Sequence, residues 1–133
     1  MPRINNSGAQ YRYPYRAEAA VTGKRAVMAG TADGDVKMPT GANVYATGVA
    51  VEDQSTVNAP VEVVLFGPTI CIAAGTCTRD QPAQIAGTSG KVQNVAGVSS
   101  GALAKVVGRF LQDAVNDGDE VAVWVEPREY QVP

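Results

Sequence analysis

Few residues of this chain could do chemistry, and their spacing argues against most of it. There is no histidine among the 133 residues. The commonest general base is therefore missing, and serine–histidine and cysteine–histidine catalysis are excluded. The two cysteines, Cys71 and Cys77, stand six apart around Ala73-Ala74-Gly75. Two cysteines without histidine do not make a four-ligand zinc site, and they are expected to be free thiols packed as small hydrophobes. Gly87-Thr88-Ser89-Gly90 lacks the glycine spacing of a nucleophile elbow. Gly23-Lys24 and Gly90-Lys91 both fail as phosphate loops: Glu18 and Ile85 stand where the first glycine belongs, and Arg25 and Val92 where a hydroxyl should hold magnesium. The acidic runs Asp33-Gly34-Asp35 and Asp117-Gly118-Asp119-Glu120 carry carboxylates, but not at calcium-loop spacing. Aspartate beside glycine is what a tight turn requires. Asp53 and Asp113 could in principle act as acid and base; they read better as residues that end a β-unit. No cofactor and no metal is expected.

Binding chemistry is easier to find. Tyr11-Arg12-Tyr13-Pro14-Tyr15-Arg16 alternates aromatic with Arg or Pro. In an extended chain a period of two puts the three tyrosines on one side. Pro14 cannot donate to a ladder, so the segment is an edge or a free extended strand. With Arg3, these residues form a basic Tyr/Arg arm over residues 1–20, and Tyr and Arg are common anchors of protein interfaces. Deleting residues 1–16 is expected to leave the rest folded. Trp124, flanked by Val123 and Val125, faces the side opposite those valines, either under a second layer or at a subunit interface.

The elements that must position these residues are short strands. Fourteen glycines and eight prolines favour turns over long helices. Strands are expected near 17–28, 36–38, 44–51, 61–66 (ended by Gly67-Pro68), 69–72, 91–95, 103–111 and 120–125 (ended by Pro127). Only Ala102–Lys105 and the stretch after Asp113 leave room for a short helix. The pattern specifies an all-β fold, a small barrel or sandwich. It also repeats. Gly48-Val49-Ala50-Val51-Glu52-Asp53 is echoed by Gly108-Arg109-Phe110-Leu111-Gln112-Asp113, and Val61-Glu62-Val63-Val64-Leu65 by Val121-Ala122-Val123-Trp124-Val125. One domain over 21–133, built from two similar β-units at about 25–68 and 75–127, is expected.

Charge is low, at 18% of residues, and segregated. Residues 1–25 hold five basic residues against Glu18 alone, which leaves six basic and twelve acidic residues in the remainder. A basic arm on an acidic body suits docking onto a partner. The acidic body opposes nucleic-acid binding. No stretch is long and apolar enough for a membrane helix, and no apolar signal region follows the first basic residues, so assembly in the cytoplasm is expected.

Two segments resemble the repeating unit of small tailed-phage capsid decoration proteins, also called cement or head-stabilising proteins. Ala46-Thr47-Gly48-Val49-Ala50-Val51-Glu52-Asp53, followed by Ala59-Pro60-Val61-Glu62-Val63-Val64-Leu65-Phe66-Gly67, is similar to their G-V-A-x-x-D … G-x-x-V-x-V-x-L-x-G pattern. Val107-Gly108-Arg109-Phe110-Leu111-Gln112-Asp113, with Asp117-Gly118-Asp119-Glu120-Val121-Ala122-Val123-Trp124-Val125, resembles their closing unit. The resemblance covers about residues 20–127; the Tyr/Arg arm and the cysteine-bearing loop depart from it. It implies a small β-protein, often trimeric, on the outside of an icosahedral head, with the major capsid protein as partner and neighbouring capsid subunits clamped together. Another virion module, a fibre or tail component, is the next reading. A small β-enzyme or a nucleic-acid binder is the last.

Overall fold

The structure, a computed structural model, describes residues 10–133. Arg3 falls outside the described residues. Nine strands form: β1 (Tyr11–Ala17), β2 (Arg25–Ala29), β3 (Asp35–Lys37), β4 (Gly48–Ala50), β5 (Pro60–Ile72), β6 (Pro82–Ile85), β7 (Val92–Asn94), β8 (Leu103–Phe110) and β9 (Glu120–Gln131). No helix forms among the described residues. Ala102–Lys105 runs into β8, and the stretch after Asp113 is bridge and turn.

The strands lie in the order β1-β3-β2-β4-β5-β9-β8-β6-β7, and an added β1–β5 pairing closes the first five into a barrel. The second half of β5 begins a second five-strand set with β9, β8, β6 and β7. A parallel bridge from Ala73 to Val92 joins its two ends. β5 is thus shared: residues 60–66 serve the first barrel and 67–72 pair with β9.

The two sets are copies in register. Tyr15 pairs Val61, and Cys71 pairs Val121. Ala26 pairs Val49, while Val49 pairs Val64; Pro82 pairs Arg109, which in turn pairs Trp124. Ala29 pairs Val36, and Ile85 pairs Val92. Positions in β1–β3 recur at an offset of 56 (Tyr15 to Cys71), and those from β4 onward at 60 (Val61 to Val121). Four extra residues between β7 and β8 account for the change. The repeat therefore starts earlier than its sequence signal, at β1, where Tyr and Arg in one copy face Cys and Ile in the other.

Burial follows the same register. Ala17, Val21, Val27, Val36, Ala50, Val61 and Val63 fill the first barrel. Their counterparts Ala73, Cys77, Ala83, Val92, Phe110, Val121 and Val123 fill the second. The bulky filler changes strand: Tyr15 packs on the first core, whereas Phe110 fills the second and leaves room only for the smaller Cys71. Such compensated exchange keeps total core volume. Both cysteines are free and buried. Burial pushes the Cys71 thiol up to about 12 and the Cys77 thiol up to about 11.

Three strand boundaries differ from expectation, two of them at prolines. Gly67-Pro68 does not end a strand. Ile72 donates its N–H to Lys24, away from β9. By strand alternation the missing N–H of Pro68 falls on that same side, so the β9 ladder loses nothing. Pro127 likewise does not end β9. Gly108 pairs Val125 and Val106 pairs Arg128, so an extra residue bulges there and accommodates the proline. Val44–Thr47 is irregular, and β4 keeps only Gly48–Ala50. The Tyr/Arg segment is no separate arm from Tyr11 onward. It is β1, paired with β5 from Tyr11 to Arg16 and with β3 at Arg16 and Ala17. Removing residues 1–16 would open the first barrel.

Candidate binding surface

Tyr13 and Tyr15 share one side of β1, the register against β5 shifts between Tyr11 and Arg12, and the burial of the three tyrosines grades along the strand. Tyr15 is half-buried against the first core, Tyr13 is 48% exposed and Tyr11 60% exposed. Tyr13 and Tyr15 stack edge to face at 5.0 Å. The strand thus carries its aromatic row from the barrel interior out over one barrel end.

Much of the basic charge nearby is taken up within the chain. Arg16 Nε lies 3.0 Å from Asp35 Oδ1, and the guanidinium donates to the Asp33 carbonyl at 2.8 Å. It therefore locks the Asp33-Gly34-Asp35 turn to β1. Lys24 of the first barrel pairs Glu120 of the second. Arg25 donates to the Ser89 carbonyl at 3.0 Å. Arg12 stays at the surface and donates to Gln10, whose amide in turn donates to the Pro68 carbonyl. The basic segment and the acidic body are in this measure each other's partners.

Trp124 sits as its alternation requires: Val121, Val123 and Val125 are buried on one side, and Trp124 is half-buried on the other. Its ring meets Phe66 edge to face at 5.3 Å. Phe66 is 47% exposed and pairs Tyr11 across β1 and β5. The sequence kept Trp124 and the tyrosines apart; the shared strand links them through Phe66, which ends an expected strand and carried no signal of its own. Arg109 is exposed beside Trp124, and Glu126 and Arg128 complete a small cleft of about 70 Å³ there. A further exposed aromatic, Tyr45, has Lys105 Nζ 4.9 Å over its ring, with Leu103 exposed on the same strand as that lysine.

The carboxylates singled out for possible acid–base work are structural. Asp53 accepts the Gly23 N–H at 2.7 Å, and Asp113 accepts the Arg79 N–H at 2.7 Å. These are one interaction made twice, each holding the loop that precedes β2 or β6. Asp117 pairs Lys91 at 2.8 Å, and Asp119 accepts the Asn116 N–H at 3.0 Å. Glu18 accepts the Thr31 N–H, and this bond holds its carboxyl below the usual glutamate value. A cleft of about 210 Å³ beside Pro14 is lined by Glu52, Asp53 and Glu62 among others. No group of three potential metal-ligating residues occurs among the described residues. The arrangement is suited to contact between surfaces through aromatic and guanidinium groups.

Fold and surface together define a double β-barrel module with a shared strand. No protein-family model and no curated protein matches the chain. Among solved structures it is similar to the N base of head fiber gp8.5 of bacteriophage phi29, with a TM-score of 0.64 and 17% identity over 88% of this chain and 94% of that one. At that identity the likeness establishes a common fold.

Proposed function

We propose that this chain is a structural protein of a phage virion, a decoration protein that binds the outer surface of an icosahedral head and clamps neighbouring major capsid subunits. The observation that carries the reading is the fold shared, over nearly the full length of both chains, with the base of a phage head fibre. The resemblance of both β-units to capsid decoration proteins points the same way. A barrel pair with little charge, exposed aromatics and, among the described residues, no assembled acid–base site suits a binding role over an enzymatic one. Many weak contacts repeated over a lattice hold strongly through multivalency. The partner is the major capsid protein, self-association with three copies is favoured, and neither membrane nor nucleic acid is bound. Tyr11, Tyr13, Arg12 and Trp124 supply the contacts.

The neighbour's own description favours a second reading, the base of a head fibre. One experiment tests both. Purified protein is mixed with expanded heads and imaged by electron microscopy. Density at every equivalent lattice position supports a clamp. Density at sparse positions supports a fibre base. Bare heads at saturating protein overturn both.

A further inference from the structure

The two copies differ in what covers them, and the difference is complementary. In the first copy the outward side of the barrel is closed: Val49 and Val64 are fully buried and belong to one continuous cluster with the second core. In the second copy the equivalent side is only partly covered, the Trp124 ring meeting Phe66 of the first barrel. Its residues there are Arg109, whose side chain is 47% exposed, and the half-buried Trp124. The barrel ends show the reverse. In the second copy Thr69, Val107 and Val125 are buried at the end that receives the first barrel. Their counterparts in the first copy, Tyr13, Thr47 and Leu65, are exposed or half-exposed. The chain is a head-to-tail repeat with one side and one end left incompletely covered.

We infer that the Arg109–Trp124 side of one copy of this chain docks on the Tyr13–Leu65 barrel end of a second copy, repeating between chains the packing that joins the barrels within one. Both faces carry the residue types that anchor interfaces, Trp and Arg on one and Tyr on the other. A solvated cap on a terminal repeat would instead be polar throughout. Trp124 standing where the first copy has Val64 is the opposite of such a cap. Among the described residues Arg109 is tied to Asp80 alone, at 3.5 Å and at the surface, which leaves it able to reorient over an aromatic end. A heterologous contact of this kind closes into a ring or continues as a filament. The inference rests on the self-association in the proposed function but not on capsid binding.

The test is the solution mass of the full chain by sedimentation, from low to high micromolar concentration, with thermal melts to confirm folding. The wild type is expected above monomer mass. Trp124→Ser, Arg109→Glu and the double variant Tyr11→Ser/Tyr13→Ser are each expected to weaken association at least tenfold, while Val115→Ser, at an exposed apolar residue on neither face, leaves it unchanged. Mixing Trp124→Ser with Tyr11→Ser/Tyr13→Ser is expected to restore a two-chain species, because each partner keeps the face the other lacks. A wild type monomeric throughout overturns the inference. So does a mixture that stays monomeric, or a tyrosine variant that assembles fully while Trp124→Ser does not, which would indicate a symmetric contact. An assembled protein that leaves heads bare would overturn the capsid reading alone.

Discussion

Gly48 and Gly108 occupy the same place in the two copies, and replacing either by alanine tests the register directly. A Cβ on Gly108 would lie 1.8 Å from the Trp124 carbonyl oxygen, and one on Gly48 2.1 Å from that of Val64. Ordinary contact begins at 3.4 Å, so β8 and β9 would have to part by about 1.6 Å, and β4 and β5 by about 1.3 Å. Parting of that size breaks the local ladder bonds, each worth about 1 kcal/mol net. Overpacking a tight site adds about 1–3 kcal/mol. With two bonds lost, Gly108→Ala should destabilise by about 3–5 kcal/mol. At about 4 °C per kcal/mol for a domain of this size, the melting temperature falls by about 12–20 °C. Gly48→Ala should fall nearly as far. Gly87→Ala is the control: nothing lies within 4 Å of its Cβ position, so it should stay within about 0.5 kcal/mol. Urea and thermal unfolding followed by circular dichroism measure all three. A Gly108→Ala protein that melts with the parent would refute the close approach, and with it the claim that the repeat is held by shared backbone geometry.

Val63→Asp and Val123→Asp each place a carboxylate in a fully buried site, where an unpaired charge costs several kcal/mol; both should abolish the cooperative melt, and a soluble, folded product would disprove the strand facing. Cys71 and Cys77 should resist a thiol reagent at pH 8 in the native state and react fully in denaturant, because burial keeps both protonated to about pH 11–12; rapid native labelling would contradict their packing. Glu18 holds the Thr31 N–H with a depressed carboxyl pKa, so its contribution to stability is present above the unfolded value and is lost as pH falls through the folded one. The Thr31 amide resonance should titrate with a midpoint below that of an ordinary glutamate, and Glu18→Gln should remove that transition.

The strand alternation of Val61–Leu65 and Val121–Val125, the Gly–Asp turns and the paired Gly48 and Gly108 are local features, so composition and period alone exposed the all-β class and the doubling. The equivalence of Asp53 and Asp113 was also legible, since their spacing is that of the repeat, but not that each holds the loop before β2 or β6. What the sequence could not show is everything that depends on a neighbour distant along the chain. The tyrosine segment reads as an arm because Pro14 and two arginines look wrong for a barrel strand; it belongs to the barrel because its missing N–H and its Arg12 and Arg16 positions fall on the side away from β5, where only Arg16 meets Gly34 and Asp35. Gly67-Pro68 and Pro127 read as strand ends for the same reason; Pro68 is passed through because its missing N–H also faces away from the paired strand, and Pro127 because β9 bulges there. The second copy of β1, in residues 67–72, stayed hidden because Tyr15 and Cys71 fill equivalent sites with different volumes, the balance being restored by Ala50 and Phe110 on other strands. Local pattern thus determined the units and their number. Only the tertiary structure decided how they join, because sharing β5 covers one side and one end and leaves Trp124 and the tyrosines on the two faces that remain.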